Sequence, residues 1–197
     1  MLVQNRGMQI VKKSVLVHSC CAHCTAYTVN YWQRQGYEAT VYWYNPNIHP
    51  YLEHQHRLAA MKSLTQEMNL PIVIADGYDM VSYFRQVAGH EEKRCQYCFQ
   101  IRLSKTAETA RQTAFNAFTT TLLISPHQKH DLLQEIGNQV AEETSVDFLY
   151  ADLRKRYSDS RRMTKGLNLH RQQYCGCIYS EWERYTTKRT TVQLPDY

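Results

Sequence analysis

The stretch Ser14-Val-Leu-Val-His-Ser-Cys-Cys-Ala-His-Cys24 joins a short apolar run to three closely spaced cysteines. The run predicts a buried strand over residues 14–18, and the pattern from about 25 to 35 predicts a helix that Gly36 ends. The cysteines therefore occupy a strand-to-helix junction. In α/β sheets, binding sites form where strands reach their carboxyl ends, so this junction is a candidate site.

Beyond this junction, strands and helices alternate along the chain. Because parallel strands need long crossover connections, the alternation predicts an α/β fold with a mainly parallel sheet flanked by helices. Residues 45–50 and 125–127 follow later strands and are expected near the cysteines. The predicted strands are 14–18, 40–44, 72–74, 117–124 and 146–150, and the predicted helices are 25–35, 51–69, 79–88, 98–114, 129–143, 158–170 and 178–190.

The composition is that of a folded protein. The chain has 197 residues, of which 43% are hydrophobic and 12% aromatic, enough to bury a core. Its apolar runs are far shorter than the roughly 20 residues of a membrane helix, and residues 1–13 lack a signal-peptide core. We expect a soluble, cytoplasmic protein with no membrane partner. In that reducing compartment, seven cysteines indicate metal binding or thiol chemistry.

All seven cysteines fall into three short groups, which are Cys20-Cys-Ala-His-Cys24, Cys95-Gln-Tyr-Cys98 and Cys175-Gly-Cys177. Short spacings of this kind are typical of metal centres, which need several thiolates within a few ångströms. A structural zinc held by the four later cysteines is one alternative, and it leaves the first group unexplained. A thiol–disulfide exchanger using Cys21 and Cys24 is another, and it leaves the later four unexplained.

The number of cysteines exceeds the four ligands that one [4Fe-4S] cluster or one zinc ion requires. The count therefore favours a cluster together with a second metal that has three protein ligands. Spacing alone does not divide the seven between the two. A radical-SAM motif is excluded because residue 27 is tyrosine, and no P-loop, dinucleotide-binding or zinc-protease motif occurs.

A cluster of basic residues near the C-terminus gives the chain a local positive charge. Seven of the 23 Lys and Arg residues lie within 18 positions, whereas the whole chain has a net charge of +5. Such a cluster can bind a phosphate backbone, and the alternative is a solvated helix face. The residues concerned are Arg154, Lys155, Arg156, Arg161, Arg162, Lys165 and Arg171.

Five segments taken together resemble the cobalamin-independent epoxyqueuosine reductases, over about residues 14–182. They are His18-Ser-Cys-Cys-Ala-His-Cys24, Tyr44-Asn-Pro-Asn-Ile-His-Pro50, Arg94-Cys-Gln-Tyr-Cys-Phe99, Phe118-Thr-Thr-Thr-Leu-Leu-Ile-Ser-Pro-His127 and Arg171-Gln-Gln-Tyr-Cys-Gly-Cys177. The resemblance implies a Rossmann-like scaffold and reduction of epoxyqueuosine to queuosine in tRNA. It also implies a single domain over residues 14–185, between an N-terminal extension (1–13) and a C-terminal tail (186–197).

The resemblance further implies the cofactors: a [4Fe-4S] cluster beside a mononuclear iron, no cobalamin, and an external low-potential electron donor. On this basis we assign Cys21, Cys95, Cys98 and Cys175 to the cluster, and Cys20, Cys24 and Cys177 to the single iron. Some relatives have Asp in place of Cys24, and most have Pro in place of His23. The candidate proton donors are His23, His49, His127, Asp152 and Tyr174. The competing hypothesis is a zinc-bearing RNA-binding module without catalysis.

Overall fold

A computed structural model describes residues 13–187, which form a five-stranded, all-parallel sheet flanked by helices. The strand order is β3-β2-β1-β4-β5, so the predicted α/β, Rossmann-like class is confirmed. The strands are β1 (Lys13–His18), β2 (Tyr37–Trp43), β3 (Ile72–Ile74), β4 (Ala117–Thr120) and β5 (Asp147–Phe148). The helices are α1 (Ala22–Arg34), α2 (Tyr51–Glu67), α3 (Met80–Val87), α4 (Arg94–Gln112), α5 (His130–Thr144), α6 (Tyr157–Met163) and α7 (Ile178–Thr187).

The central strand β1 anchors the core. Val15, Leu16 and Val17 are fully buried, as expected of a parallel strand with helices on both faces. β1 pairs with β2 on one side and β4 on the other, which brings His18 level with Tyr42 and Thr120. The carboxyl ends of three strands therefore lie side by side next to the first cysteine group.

Two predicted elements were wrong in part. The strand predicted over 117–124 ends at Thr120, whose side chain accepts a hydrogen bond from the Leu122 amide and starts a buried 3-10 turn over Thr121–Ile124. The helix predicted over 158–170 ends at Met163. After it, Gly166 and Asn168 both adopt positive φ angles, which do not continue a helix.

Two helices begin earlier than predicted. Because α1 begins at Ala22 and α4 at Arg94, Cys24 and Cys95 lie on first helical turns instead of loops. The N-terminal extension, apart from its last residue, most of the C-terminal tail and the end of the helix predicted over 178–190 lie outside the described residues. Within residues 13–187, no helix is both long enough and apolar enough to cross a bilayer.

Gly137 on α5 allows this helix to pack closely against β5. A Cβ atom at this position would lie 2.1 Å from Cε1 of Phe148, whose ring packs against Phe118 at a centroid distance of 5.1 Å. Helix propensity alone would make Gly137→Ala stabilising by about 1 kcal/mol. We expect the clash to prevail and to lower the free energy of unfolding by about 1–3 kcal/mol. Urea denaturation measures this, with the exposed Asn138→Ala on the same helix as control.

Candidate metal centre

The first cysteine group lies at the carboxyl end of β1 and the start of α1. Cys20 and Cys21 are each 6% exposed and Cys24 is 5% exposed. Cys21 is the N-cap residue of α1, in an extended conformation, and its carbonyl accepts hydrogen bonds from both the amide and the hydroxyl of Thr25. Cys20 and Cys21 therefore lie just beyond the end of β1, and Cys24 lies on the first turn of α1.

The surroundings of Cys21 make its thiol more acidic than an ordinary cysteine. A hydrogen bond from the Cys24 thiol, the backbone N–H groups of Cys24 and His23, and the charge of Arg57 together lower the pKa of Cys21 to about 7. The same hydrogen bond, together with burial, raises the pKa of Cys24 well above its usual range. The helix N-terminus thus favours a thiolate at Cys21. Thiolates are the form in which cysteines bind metals.

The second group lies on the first turn of α4. Cys98 is 8% exposed and Cys95 is half-buried. Burial, together with the charges of Cys175 and Cys177, raises the pKa of Cys98 to about 12 against the opposing charge of Arg102. Burial also raises the pKa of Tyr83, whose hydroxyl interacts with Cys98 and Cys177. The first turn of α4 therefore faces the third cysteine group.

The third group, Cys175–Cys177, is held in place mainly through its backbone. Arg57 donates to the carbonyls of Cys175 (2.9 Å) and Tyr174 (3.1 Å), and the amide of His49 donates to the carbonyl of Gly176 (2.7 Å). Gly176 has φ of +149°, and a Cβ there would lie 3.2 Å from Ile48. Glycine is needed here because the loop both adopts this conformation and packs against residues 47 and 48.

The fold brings all three groups together. The charge on one group raises the pKa of thiols in another. Cys175 raises the pKa of Cys98, Cys177 raises that of Cys95, and Cys20 raises those of Cys24 and Cys175. All seven cysteines are free thiols. No three of their sulfurs lie within 4.8 Å of one another in the described residues. A single metal ion, zinc or iron, with bonds of about 2.3 Å would therefore draw its sulfur ligands inward to roughly 3.8 Å on binding. A cluster of several metal ions spreads its ligands more widely.

Arg102 is a buried cation beside these thiols. It is 1% exposed, and its Nη1 donates to Sγ of Cys98 (3.5 Å). Its Nε donates to Nε2 of His18 (3.2 Å), and its Nη2 has no hydrogen-bond partner. Because Nε2 of His18 accepts from Arg102, the proton of this neutral imidazole lies on Nδ1 and is donated to Thr120 (2.9 Å).

Arg57, a second buried arginine, differs from Arg102 in how its charge is neutralised. Arg57 is 2% exposed, and Glu53 neutralises it at 2.7 Å. No carboxylate in the described part of the chain pairs with Arg102, and the acidic groups whose charge raises its pKa are the thiols of Cys98, Cys20 and Cys175. A buried cation is costly without an anion. Soft sulfur ligands around an uncompensated buried cation fit an anionic iron–thiolate centre.

The predicted proton donors differ in their surroundings. Arg154 holds the Asp152 carboxylate at 2.6 Å and lowers its pKa, and the Tyr174 hydroxyl donates to the carbonyl of His49. Burial lowers the pKa of His49 to about 4. His127 is exposed beside Tyr157, at a ring distance of 6.1 Å. Asp152 is therefore ionised, and the Tyr174 hydroxyl is engaged with a carbonyl. The His49 imidazole is neutral, and His127 faces solvent.

His23 is placed differently from the other four. Its Nδ1 lies 2.6 Å from the Thr164 hydroxyl, while its buried Nε2 has no partner. Burial first, then the charges of Arg161 and Arg171, lower its pKa. His23 therefore lies between the first cysteine group and the basic segment, and it carries a polar atom with no partner.

The basic residues are only partly neutralised. Asp152 binds Arg154, while Asp159 binds Arg162 and, at 3.4 Å, Arg156. Arg161 lies over the ring of Tyr157 at 4.9 Å. The other three residues of this basic cluster, which are Lys155, Lys165 and Arg171, have no carboxylate partner within the described residues. Because α6 packs on α1, this positive surface adjoins the first cysteine group.

Sequence reasoning missed the buried support of the site, which is His18, Arg57 and Arg102. One signal was available, because Arg102 follows Cys98 by one helical turn and therefore shares its face. Nothing in the sequence indicated that Arg57 would reach the carbonyl of Cys175, 118 positions away. That contact depends on how α2 crosses the sheet.

A family model described as Epoxyqueuosine reductase QueH matches residues 15–183. The chain belongs to the QueH family. An epoxyqueuosine reductase QueH from Dehalococcoides mccartyi is 53% identical over 171 residues, which are 87% of this chain and 94% of that protein. The QueH protein of Thermotoga maritima is 32% identical, covering 87% and 92%, and that of Streptococcus pyogenes is 36% identical, covering 86% and 71%. The predicted family and its oxidoreductase class are confirmed.

A solved structure supports the fold of this QueH chain. The crystal structure of a predicted subunit of tRNA methyltransferase from Methanocaldococcus jannaschii superposes with a TM-score of 0.52. The match covers 77% of this chain and 73% of the other, at 10% sequence identity. This likeness concerns the fold alone.

Proposed function

We propose that this protein reduces epoxyqueuosine in tRNA to queuosine. The observation that carries the proposal is that the family match spans all seven cysteines, every one of which is a free thiol. The reaction converts an epoxide to an alkene, so it consumes two electrons and two protons and releases the oxygen as water. The site must therefore accept electrons from an external low-potential donor and supply protons.

The cysteines are proposed to hold two metal groups. Cys21, Cys95, Cys98 and Cys175 would bind a [4Fe-4S] cluster, and Cys20, Cys24 and Cys177 a single iron; no cobalamin is needed. Held there, the iron would supply Lewis acidity towards the epoxide oxygen, and the cluster would supply electrons one at a time. Free cysteines in this number suit the reducing cytoplasm, which is the compartment we propose.

The chain's own groups have separate roles in this proposal. Arg102 neutralises the anionic thiolates from the buried side. His23 is the best-placed group for proton transfer, because its Nε2 is unpartnered and near the first cysteine group. Nδ1 carries the proton of the neutral ring, since the Thr164 hydroxyl donates to the carbonyl of Ser160, so Nε2 would first take up a proton and then deliver it. Asp152 is the weakest candidate, since Arg154 keeps it ionised. Tyr174 positions the loop that contains Cys175 and Cys177 through its bond to the carbonyl of His49.

The positive surface beside His23 is proposed to bind the anticodon arm. Lysine and arginine neutralise phosphates and release counterions, and Tyr157 offers a ring near the same surface. Arg161 lies between Tyr157 and His23, because it covers the Tyr157 ring and its charge lowers the pKa of His23. A tRNA bound along this surface would bring a nucleotide near the first cysteine group.

The double variant Lys155→Gln/Lys165→Gln tests this surface. We expect the Kd for tRNA to rise about tenfold at moderate salt, because two phosphate contacts are lost. The slope of log binding against log salt should become shallower by about one unit per contact. Electrophoretic mobility shifts over a salt series measure both. The charge-matched control Lys62→Gln/Arg85→Gln should bind as wild type, and equal loss in both would refute the assignment.

Metal analysis and a direct assay test the function itself. Protein purified without oxygen should contain about five irons and four acid-labile sulfides per chain, with a brown absorbance that dithionite bleaches. It should then convert epoxyqueuosine tRNA to queuosine tRNA, as followed by nucleoside mass spectrometry. One or two zinc ions without sulfide, and no product under reductant, would instead support a zinc-bearing RNA-binding module.

A further inference from the structure

A second group of metal-binding side chains lies outside the cysteine centre. Glu53 and His56 occupy one face of α2, three positions apart, and His170 approaches them from the segment after α6. One ligand atom from each residue lies within 4.8 Å of the other two. Within the part of the chain that the structure describes, no other set of three His, Cys, Asp or Glu side chains meets this condition.

The carboxylate of this group is already oriented. Oε1 of Glu53 accepts from Nε of Arg57 at 2.7 Å, while Oε2 faces Nε2 of His170 at 3.0 Å. The Glu53 side chain is only 12% exposed, and that of His170 is 32% exposed. One oxygen is therefore held by Arg57, and the other faces the imidazole of His170. Metal ligands that are held by such outer contacts bind more tightly than free ones.

The donor chemistry selects the kind of ion. Two imidazoles and one carboxylate suit borderline divalent ions such as zinc, cobalt, nickel and ferrous iron, whereas calcium and magnesium favour oxygen ligands throughout. A tetrahedral zinc ion with bonds of about 2.0–2.1 Å separates neighbouring ligand atoms by roughly 3.3 Å. The 3.0 Å between Oε2 of Glu53 and Nε2 of His170 is close to this spacing. The ring centroids of His56 and His170 are 5.3 Å apart, and the two rings are tilted by 43°.

We propose that Glu53, His56 and His170 bind one divalent transition-metal ion, with water completing its coordination. This site is separate from the cysteine centre and does not depend on the proposed reductase activity. Its structural effect passes through Arg57, which connects Glu53 to the carbonyls of Tyr174 and Cys175. An ion that fastens His170 to α2 therefore also restrains the loop that contains Cys175 and Cys177.

Zinc titration of the iron-loaded protein tests the site, because the thiols are then already occupied. Isothermal titration calorimetry should detect one further zinc per chain, with a Kd on the order of micromolar. His56→Asn should weaken this binding at least about tenfold. His90→Asn is the matched control, since His90 is exposed and stacks on Tyr97 away from the site. In crystals soaked with zinc, anomalous scattering should locate the ion between α2 and residue 170.

Stability provides a second readout. Because zinc binds the folded state, it should raise the Tm of wild type and of His90→Asn but not that of His56→Asn. If the cysteine centre does not hold iron, the same comparison is made after its thiols are saturated with zinc, and His56→Asn should still bind one zinc fewer. Equal isotherms for wild type and His56→Asn, or zinc density at the cysteines alone, would refute the site.

Discussion

Cys98→Ser is expected to abolish the proposed iron–sulfur centre while leaving the fold intact. Cys98 is buried on the first turn of α4 and faces Cys175 and Cys177, so its loss removes one of four proposed cluster ligands. Serine has nearly the same volume, and its hydroxyl can still accept the hydrogen bond from Arg102. We expect sulfide to fall to background and reductase activity to fall at least about 100-fold, since even outer contacts of a metal site contribute 10–100-fold.

The matched control for this variant is Gln96→Ala, an exposed position on the same helical turn. It should retain iron, sulfide and activity. Circular dichroism of both variants, prepared without metal, tests whether folding is preserved. If Cys98→Ser keeps its full sulfide content and activity, Cys98 is not a cluster ligand and the proposed division of the seven cysteines is incorrect.

Arg102→Met is expected to affect the metal-loaded protein far more than the metal-free protein. In the metal-free form, the variant removes a buried charge that has no carboxylate partner. His18 can compensate by moving its proton to Nε2, which lies 3.2 Å from the carbonyl of Tyr44. The free energy of unfolding of the metal-free protein should therefore change by less than about 1 kcal/mol.

In the metal-loaded form, the same substitution leaves anionic thiolates without their buried counter-charge. Breaking such a pair costs about 3–5 kcal/mol, which corresponds to more than a 100-fold loss in metal retention. Urea denaturation of the metal-free protein and iron release to a chelator measure the two effects separately. Arg102→Lys should restore part of the retention, and the exposed Arg85→Met should behave as wild type. Equal iron retention by Arg102→Met and wild type would contradict the assigned role.

The sequence was sufficient to predict the fold class, because the apolar runs of β1 and β2 alternate with segments of helical period. It also predicted that the three cysteine groups lie close together, because their short spacings are typical of a metal centre; the fold brings them together, and the metal centre itself stays a prediction. The end of β4 was predicted four residues too late, because Thr121–Ile124 is apolar and buried like a strand. The local hydrogen bond from Thr120 that ends the strand has no signature in hydrophobicity.

The surroundings of the cysteines could not be predicted from local pattern. Arg57 and Arg102 both lie on helices with many charged residues, where an exposed position is the usual expectation. Their burial depends on which helix face meets the sheet and on distant partners such as Cys175. His170 was predicted to end a helix, yet it lies in an irregular segment opposite Glu53. Contacts across the fold, unlike periodicity, require the whole tertiary arrangement.

The spread of the cysteines along the chain has a consequence for biosynthesis. The first group follows β1, whereas Cys175 and Cys177 come after all five strands and after α6. During translation, the ribosome therefore releases the last ligands only when the sheet has been completed. On the proposed assignment, each metal group takes one ligand from residues 175–177. Neither group therefore has its full set of cysteines until this last segment has been synthesised and has packed against residues 47–57.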